Sequence, residues 1–278
     1  MSSAPSPSSI LITGANAGIG LQTARVLAQQ GHRLILHGRN QARIDAAREQ
    51  LAQETGNTHM ETIWADLAHL SQVRDMAAEI KDRFDPLDVL LNNAGLYSRE
   101  HQRSADGYEL TRAVNHLAPF ALTHLLLDHI NPAGRIVNVS SVAHTRGKIR
   151  FDDLHGDKNY NHYQAYAASK LANVLFTIEL ARRLPSPAPT VNALHPGVVS
   201  TRLLTVGFQM EGFDSLEEGA STSVYLATAP QVAQTTGEYF ARSRVAPMNP
   251  VVRRPGLAEE FYELSAKLTG IEPLPEPT

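Results

Sequence analysis

The sequence predicts an α/β fold in which a single doubly wound parallel sheet of about seven strands is flanked by helices. Short apolar runs recur along the chain, and longer stretches with helical periodicity separate them. Most of the short runs, such as residues 34–36 and 89–91, are apolar at every position, which is typical of strands buried on both faces of a parallel sheet. This alternation predicts ligand binding at the carboxyl ends of the strands.

Each predicted element follows from its local pattern. The runs that are short and rich in leucine or β-branched residues are predicted to be strands, at residues 10–13, 33–37, 60–64, 87–91, 135–139, 190–195 and 237–241. The stretches rich in Ala, Gln, Glu and Arg are predicted to be helices, most clearly at residues 19–30, 41–54, 70–83, 114–129 and 163–184.

No linker or internal repeat divides this pattern. We therefore expect one domain over residues 9–270, with flexible tails at residues 1–8 and 271–278, which are rich in Ser or Pro. The apolar runs are only a few residues long, whereas a membrane-spanning helix needs about 20. No signal-peptide pattern occurs near the first residue, so a cytoplasmic location is expected.

The composition excludes several kinds of chemistry. The chain of 278 residues contains no cysteine, which rules out disulfides, thiolate metal sites, iron–sulfur clusters and a thiol nucleophile. Its formal net charge is −3 and it lacks a block of basic residues, so we expect no nucleic-acid partner. The 12 histidines show no spacing typical of a metal site, and no metal is predicted.

A glycine-rich turn follows the first predicted strand, with the sequence Thr-Gly-Ala-Asn-Ala-Gly-Ile-Gly at residues 13–20. Gly14 suits a tight turn, Gly18 lets the backbone approach a pyrophosphate, and Gly20 permits close helix–strand packing. The helix that begins here offers its N-terminus to an anion. A purely structural turn would show the same glycines, but the position after the first strand of a repeating α/β chain favours a dinucleotide.

The residues after the second predicted strand bear on the choice of dinucleotide. An acidic residue at this place would bind the 2′-hydroxyl of NAD(H), whereas an arginine accepts the 2′-phosphate of NADP(H). The chain has Arg39 and Asn40 here, and its next carboxylate is Asp45. The sequence therefore favours NADP(H), although Arg39 could also be an ordinary surface residue.

Tyr166 and Lys170 are four residues apart, which places them on one face of a predicted helix. A phenol with a pKa near 10 is a poor acid or base at neutral pH. An ammonium about 5 Å away would lower that pKa by about two units at an effective dielectric constant near 20. The pair could equally be an ordinary surface aromatic and cation if the glycine turn were absent.

Together these motifs resemble the short-chain dehydrogenase/reductase family over nearly the whole chain, which implies a Rossmann-type dinucleotide-binding fold. The residues that match its cofactor-binding motifs are Gly14, Asn16, Gly18, Ile19, Gly20, Arg39, Asn40, Asp66, Leu67, Asn93, Ala94, Gly95, Tyr166, Lys170, Pro196, Gly197, Val199 and Thr201. The residues that match its catalytic set are Asn115, Ser141, Tyr166 and Lys170.

The interval between Ser141 and Tyr166 is 25 residues, roughly twice the usual one, and it contains a polar insert at residues 144–163. This insert and the sequences around the catalytic positions are similar to the retinol dehydrogenase-like branch. Residues 200–215, which include several apolar side chains and two glycines, are expected to form a flap over a lipophilic substrate. A surface helix with a buried stripe would show the same pattern.

The resemblance implies an NADP(H)-dependent oxidoreductase that transfers hydride between the nicotinamide and a carbonyl or alcohol. Tyr166 would exchange the proton, Ser141 would bind the carbonyl oxygen, Lys170 would lower the pKa of Tyr166 and hold the ribose, and Asn115 would order a water. An alternative is an NADP(H)-binding sensor or scaffold without turnover. A homo-oligomer paired through the helix that carries Tyr166 is also expected from the resemblance.

Overall fold

The computed structural model describes residues 7–277 and contains one sheet of eight strands. The strands are β1 (Ser9–Ile12), β2 (Arg33–Gly38), β3 (Met60–Trp64), β4 (Leu87–Asn92), β5 (Ile130–Val139), β6 (Thr190–His195), β7 (Tyr239–Ala241) and β8 (Arg244–Val245). Their order is β3-β2-β1-β4-β5-β6-β7-β8. All neighbours pair in parallel except β7 and β8. The order reverses between β1 and β4, so a crevice is expected at their carboxyl ends.

The helices connect successive strands and cover both faces of the sheet. They are α1 (Gly18–Gln29), α2 (Gln41–Thr55), α3 (Leu70–Arg83), α4 (Leu110–Arg112), α5 (Ala118–Leu126), α6 (His162–Arg183), α7 (Leu216–Thr228) and α8 (Leu257–Thr269). A π-helical turn, Ala113–Leu117, joins α4 to α5, and another covers Leu203–Phe208. Short 3₁₀ turns lie at Leu127–His129, Val142–Arg146, Pro230–Val232 and Pro250–Arg253.

Each strand contributes to two cores because successive side chains point to opposite faces. Ile10 and Ile12 of β1 lie in the core shared with α1, α2 and α7, whereas Leu11 lies in the core shared with α3, α5 and α6. All three side chains are fully buried. The continuous apolar runs seen in the sequence therefore reflect burial on both faces.

The fold class is confirmed, and the expected strand count of about seven was one too low. The extra strand β8 has two residues, both exposed, and pairs antiparallel at the sheet edge, so no buried apolar run marks it. The predicted helix at 114–129 begins earlier and is interrupted by the π-helical turn, which contains Asn115. Helices α7 and α8 were not among the clearest predictions. Helix α7 packs in the core that includes β1 and α1, and α8 packs against α6.

Helix α8 packs against α6, and the expected homo-oligomer paired through α6 stays a prediction. The described part of the C-terminal segment, residues 271–277, is irregular, yet Leu274 and Glu276 both bind the buried guanidinium of Arg183. Residues 1–6 of the predicted N-terminal tail lie outside the described residues. No helix within residues 7–277 combines the length and apolarity needed to cross a membrane.

Candidate active site

The glycine turn is tied to the loop after β4 by a set of hydrogen bonds at the crevice. The hydroxyl oxygen of Thr13 accepts bonds from the backbone N–H groups of Asn93, at 2.9 Å, and Ala94, at 3.0 Å. The side-chain amide of Asn93 donates to the carbonyls of Thr13, at 2.8 Å, and Gly14, at 3.2 Å. The two predicted motifs therefore form one rigid unit across β1 and β4.

The spacing of the glycines follows from the close approach of backbone to backbone. Gly14 and Gly18 have φ angles of 68° and 57°, in the left-handed region that favours glycine. At Gly20, a Cβ atom would overlap the carbonyl oxygen of Gly14 and would lie 2.5 Å from Nδ2 of Asn93. Each of these positions is thus restricted to glycine for a physical reason.

The N-terminus of α1 suits an anionic group. Its N-cap residue, Ala17, makes no side-chain capping bond, and its first turn contains no acidic residue. The unpaired N–H groups of a helix start carry partial positive charge, which favours a phosphate. A Cβ at Gly18 would lie 3.2 Å from Cγ2 of Thr201, so the segment after β6 reaches the same turn. The donor set therefore fits the pyrophosphate of a dinucleotide.

The predicted adenosine-side residues surround the carboxyl end of β2. Asn16 reaches this end, because a Cβ at Gly38 would lie 3.4 Å from its Oδ1. Arg39 is exposed, and Asn40 caps α2 by accepting a bond from the N–H of Arg43 at 3.0 Å. No carboxylate within the described residues lies in ion-pair distance of Arg39, so its guanidinium can meet a phosphate.

Asp66 and Leu67 follow β3 at the same edge. The carboxylate of Asp66 accepts a bond from the N–H of Ala68 at 3.0 Å, which forms a local turn. Leu67 is buried in the core, so only its backbone could face a nucleotide. These two residues therefore shape the floor beside the nucleotide more than they offer side chains to it.

His37 binds the backbone of the glycine turn, and the sequence analysis did not identify it. Its Nδ1 accepts a bond from the N–H of Gly14 at 3.3 Å, so Nε2 carries the proton and donates to the carbonyl of Ala65 at 3.0 Å. Burial lowers the pKa of His37 to about 4. The ring is therefore neutral near pH 7 and joins β1, β2 and the residues after β3. Its place inside a continuous strand gave no sign of this function.

The catalytic candidates meet where β4, β5 and α6 come together. Tyr166 and Lys170 lie one turn apart on α6, and the ammonium nitrogen of Lys170 is 5.7 Å from the ring centroid of Tyr166. Lys170 donates to the carbonyl of Val139 at 2.9 Å. A Cβ at Gly95 would lie 3.4 Å both from Nζ of Lys170 and from Oδ1 of Asn115. The predicted cofactor loop and the predicted catalytic residues therefore adjoin.

Asn115 is fully buried in the π-helical turn. Its Oδ1 accepts from the N–H of Leu96 at 2.7 Å, and its amide donates to the carbonyl of Leu96 at 2.9 Å and to the hydroxyl of Ser169 at 3.0 Å. Both amide hydrogens are thus used within the protein. Asn115 fixes the loop after β4 against α6, and its expected action on a water stays a prediction.

The phenol of Tyr166 differs from the sequence expectation. Burial raises its pKa to about 12, and a hydrogen bond from Ser141 only partly opposes this effect. Burial also lowers the pKa of Lys170 to about 8. The net direction is opposite to the expected one because removal of the phenolate from water dominates. Lys170 is not among the causes of this shift, so its expected effect on the phenol stays a prediction. Near pH 7, Tyr166 is a neutral acid with a proton to give.

Ser141 begins the 3₁₀ turn after β5. Its Oγ accepts a bond from the N–H of Ala143 at 3.2 Å, which leaves the hydroxyl proton for another acceptor. The effect of Ser141 on the pKa of Tyr166 places the two hydroxyl groups near each other. A carbonyl oxygen could accept bonds from both hydroxyl groups at once.

The flap segment, residues 200–215, lies over this pair of hydroxyl groups. The ring of Phe208 packs at 4.0 Å between centroids from Tyr97 and at 5.1 Å from Tyr166. The segment is anchored at its base, since Gly212 donates to the hydroxyl of Ser200 at 2.8 Å and Val198 donates to the carboxylate of Asp214 at 2.6 Å. Two aromatic rings, those of Phe208 and Tyr97, therefore pack against the phenol ring of Tyr166.

Tyr97 and the insert were not predicted to contribute to this enclosure. The hydroxyl of Tyr97 bonds to Nδ1 of His162, at the start of α6. Tyr160, in the insert, donates to the carbonyl of Ser98 at 2.9 Å. The insert therefore holds the loop that carries Tyr97. The two segments are distant in the sequence, so no local pattern indicates this contact.

The remaining predicted residues lie close to the two groups just described. Pro196 and Gly197 follow β6, and Gly197 has a φ of 114° beside the carboxylate of Asp214. Val199 is buried, and a Cβ at Gly219 would lie 2.6 Å from its Cγ2 and 3.2 Å from Cγ1 of Ile19. Residues 7–277 contain no cluster of three His, Asp or Glu side chains that could hold a metal ion.

The chain is similar in sequence and in structure to several known proteins. The sequence profile described as short chain dehydrogenase matches residues 8–211. Human retinol dehydrogenase 13 is 40% identical over an alignment of 280 residues, which covers 95% of this chain and 85% of that protein. An uncharacterised protein from Mycobacterium paratuberculosis has a similar structure, with a TM-score of 0.81 and 34% identity, covering 96% of this chain and 95% of the other. A metagenomic blue fluorescent protein solved with NADPH gives a TM-score of 0.68 at 27% identity, covering 84% and 95%.

Proposed function

The chain belongs to the short chain dehydrogenase family, and from this premise we propose that it is an NADP(H)-dependent oxidoreductase acting on a lipophilic carbonyl or alcohol. The observation that carries the proposal is the meeting of a glycine turn fit for pyrophosphate with the hydroxyl groups of Ser141 and Tyr166. Relatives that are retinol dehydrogenases support a role in alcohol and carbonyl chemistry.

NADPH, when bound, supplies a hydride to the carbonyl carbon of the substrate. The residues that would hold it are those of the glycine turn, Arg39 at the 2′-phosphate, and the segment from Pro196 to Thr201 beside the nicotinamide. The exposed guanidinium of Arg39 supports NADP(H) over NAD(H), as does the metagenomic structure solved with NADPH.

Tyr166 would act as the general acid in reduction. Because burial keeps its pKa at about 12, the phenol is protonated near neutral pH and can donate to the oxygen of a carbonyl as the carbon accepts a hydride. One hydride and one proton add across the C=O bond and yield the alcohol. Oxidation of the alcohol is the reverse and would need the phenolate, so it should be favoured by alkaline pH.

Ser141 and Lys170 would assist at fixed positions. The hydroxyl proton of Ser141 would stabilise negative charge as it develops on the substrate oxygen. Lys170 is held against the carbonyl of Val139, beside the loop after β4, where it could bind the nicotinamide ribose. Burial keeps its pKa at about 8, so the ammonium is charged near pH 7.

The flap segment supports a lipophilic substrate. Phe208 and Tyr97 place apolar surface directly beside the hydroxyl of Tyr166 and exclude water from it. A substrate must move Phe208 to reach Tyr166, so the flap would open and close in each turnover. A cytoplasmic location and a homo-oligomer stay predictions.

Consumption of NADPH in the presence of aldehydes, ketones and quinones tests this function. We expect turnover with apolar members of the panel in the parent and in Tyr225→Phe, whose ring lies on α7 beside Phe240. Tyr166→Phe should lose about 100-fold or more in rate, since general acid catalysis contributes about that much. Tight NADPH binding without turnover by the parent would favour the alternative, an NADP(H)-binding sensor or scaffold.

A further inference from the structure

A buried histidine lies directly behind Ser141. His144 is fully buried, and its Nδ1 is 2.7 Å from the carbonyl oxygen of Ser141. Its Nε2 accepts a bond from the backbone N–H of Asn249 at 3.1 Å. Because a backbone N–H can only donate, Nε2 must be unprotonated. Nδ1 therefore carries the proton and donates a hydrogen bond to the carbonyl oxygen of Ser141. The two bonds together select one neutral tautomer.

Asn249 completes a clamp around the same turn. Its side-chain amide donates to the carbonyls of His144, at 3.0 Å, and Thr145, at 3.2 Å. Its Oδ1 accepts from the N–H of Val251 at 3.0 Å, which fixes the direction of the amide. A loop about 105 residues further along the chain therefore holds the turn that begins at Ser141.

The clamp acts on the residue that would stabilise the substrate oxygen. Ser141 is held at its carbonyl by His144 and at its Oγ by the N–H of Ala143. The peptide orientation and the side-chain position are thus set by different partners. The same carbonyl also accepts a bond from the backbone N–H of His144 at 3.0 Å. Without the imidazole, this backbone bond alone would hold the carbonyl, so the turn could rotate and move Oγ away from Tyr166. A misplacement of about 1 Å at a reacting group can cost about 100-fold in rate.

We propose that His144 is a positioning residue for Ser141 and that Asn249 fixes its tautomer. The inference rests on the proposed function, in which Ser141 contacts the substrate oxygen. His144 also packs against the ring of Tyr239, at 4.4 Å between centroids, so a purely space-filling role is the competing explanation. The two explanations differ in whether the effect of His144 depends on the hydroxyl of Ser141.

A double-mutant cycle separates them. His144→Leu should lower kcat about 10- to 100-fold in the parent, with the dissociation constant of NADPH unchanged. In the Ser141→Ala background the same change should lower kcat less than about twofold, because the group it positions is absent. His144→Asn keeps an N–H near the place of Nδ1 and should recover most of the lost kcat.

The matched control is His124→Leu. His124 is a partly buried histidine, bonded to the carbonyl of Phe120 and the hydroxyl of Tyr262, and it lies away from the crevice. We expect this variant to lower the melting temperature and leave kcat unchanged. An equal loss of kcat from His144→Leu in both backgrounds, or no rescue by His144→Asn, would overturn the proposal.

Crystal structures of the parent and of His144→Leu give a readout that needs no turnover. The proposal expects the Ser141 carbonyl and Oγ to shift relative to Tyr166 while Tyr239 keeps its place. An unchanged Ser141 would overturn it. If the parent binds NADPH but reduces no carbonyl, the proposed function fails, and these structures still decide whether His144 positions Ser141.

Discussion

The two sides of the crevice are built in different ways. On the cofactor side, the glycine turn, Thr13, Asn93 and His37 are joined by hydrogen bonds between side chains and backbone and by contacts that leave no room for a Cβ atom. On the substrate side, Tyr166 is enclosed by side-chain stacking from Phe208 and Tyr97, which belong to a π-helical segment and a loop.

This difference separates what must stay fixed from what must move. A pyrophosphate is recognised by backbone N–H groups, whose positions depend on tight turns and permit little variation. A lipophilic substrate needs apolar area that can open to admit it and close to exclude water. The exposed apolar side chains Val206, Met210 and Phe213 all lie on the substrate side, in the flap segment.

The largest effect is expected at the point of closest approach on the cofactor side. In Gly20→Ala the added methyl group would collide with Gly14 and Asn93, and such overpacking costs about 1–3 kcal/mol. We expect NADPH to bind about 100-fold more weakly by calorimetry.

The control for this change is Gly31→Asn. Gly31 has a φ of 83°, which Asn tolerates, and no atom would lie within 4 Å of its Cβ. NADPH binding should be unchanged in this variant. Equal affinities of Gly20→Ala and the parent would show that the cofactor side is not rigid.

Arg39→Ala should weaken NADPH binding about 10- to 100-fold and leave NADH binding unchanged, because a charged hydrogen bond contributes about 1.5–3 kcal/mol. Arg33→Ala, at the opposite end of β2, should alter neither affinity. Equal losses for NADPH and NADH in Arg39→Ala would mean that the arginine does not meet the 2′-phosphate.

On the substrate side, Phe208→Ala removes an apolar side chain that would cover a bound apolar substrate, and burial of such a side chain is worth about 1.5–3 kcal/mol. We expect KM for an apolar carbonyl to rise about tenfold, with NADPH affinity unchanged. Phe84→Ala, beside the start of β4, should leave KM as in the parent. A loss of NADPH affinity in Phe208→Ala would show that the substrate side and the cofactor side do not act independently.

The smallest effect concerns pH. The pKa of His37 is lowered to about 4 in the folded protein, so the unfolded chain binds more protons below about pH 6.5 and stability falls as pH falls. From pH 6.5 to 5.5 this group alone should remove about 1 kcal/mol from the free energy of unfolding. His37→Gln should show a correspondingly smaller loss in urea titrations. The same loss in both proteins would exclude His37 as a source.

The sequence predicted the parts that depend on local patterns. The glycine pattern lies within eight consecutive residues, and Tyr166 and Lys170 share a helix, so the sequence alone locates both groups. Most of the buried strands could be identified because they contain continuous apolar runs.

Contacts between distant segments could not be predicted in the same way. Asn249 reaches His144 across about 105 residues, and no motif marks either of them. Burial raises the pKa of Tyr166, and this burial includes packing by Phe208 and Tyr97 from distant segments, which helix spacing alone does not show. The short strand β8 has no apolar run because it lies at an exposed edge.

The most direct test of the account is the transfer of deuterium from NADPH that carries deuterium at both hydrogen positions of C4 of the nicotinamide. With an apolar aldehyde that the parent accepts, mass spectrometry should find the label at the carbinol carbon of the product. Tyr166→Phe should bind NADPH as the parent does and transfer the label at least about 100-fold more slowly. An unlabelled alcohol, or equal rates of transfer in the two proteins, would contradict hydride transfer with Tyr166 as the acid.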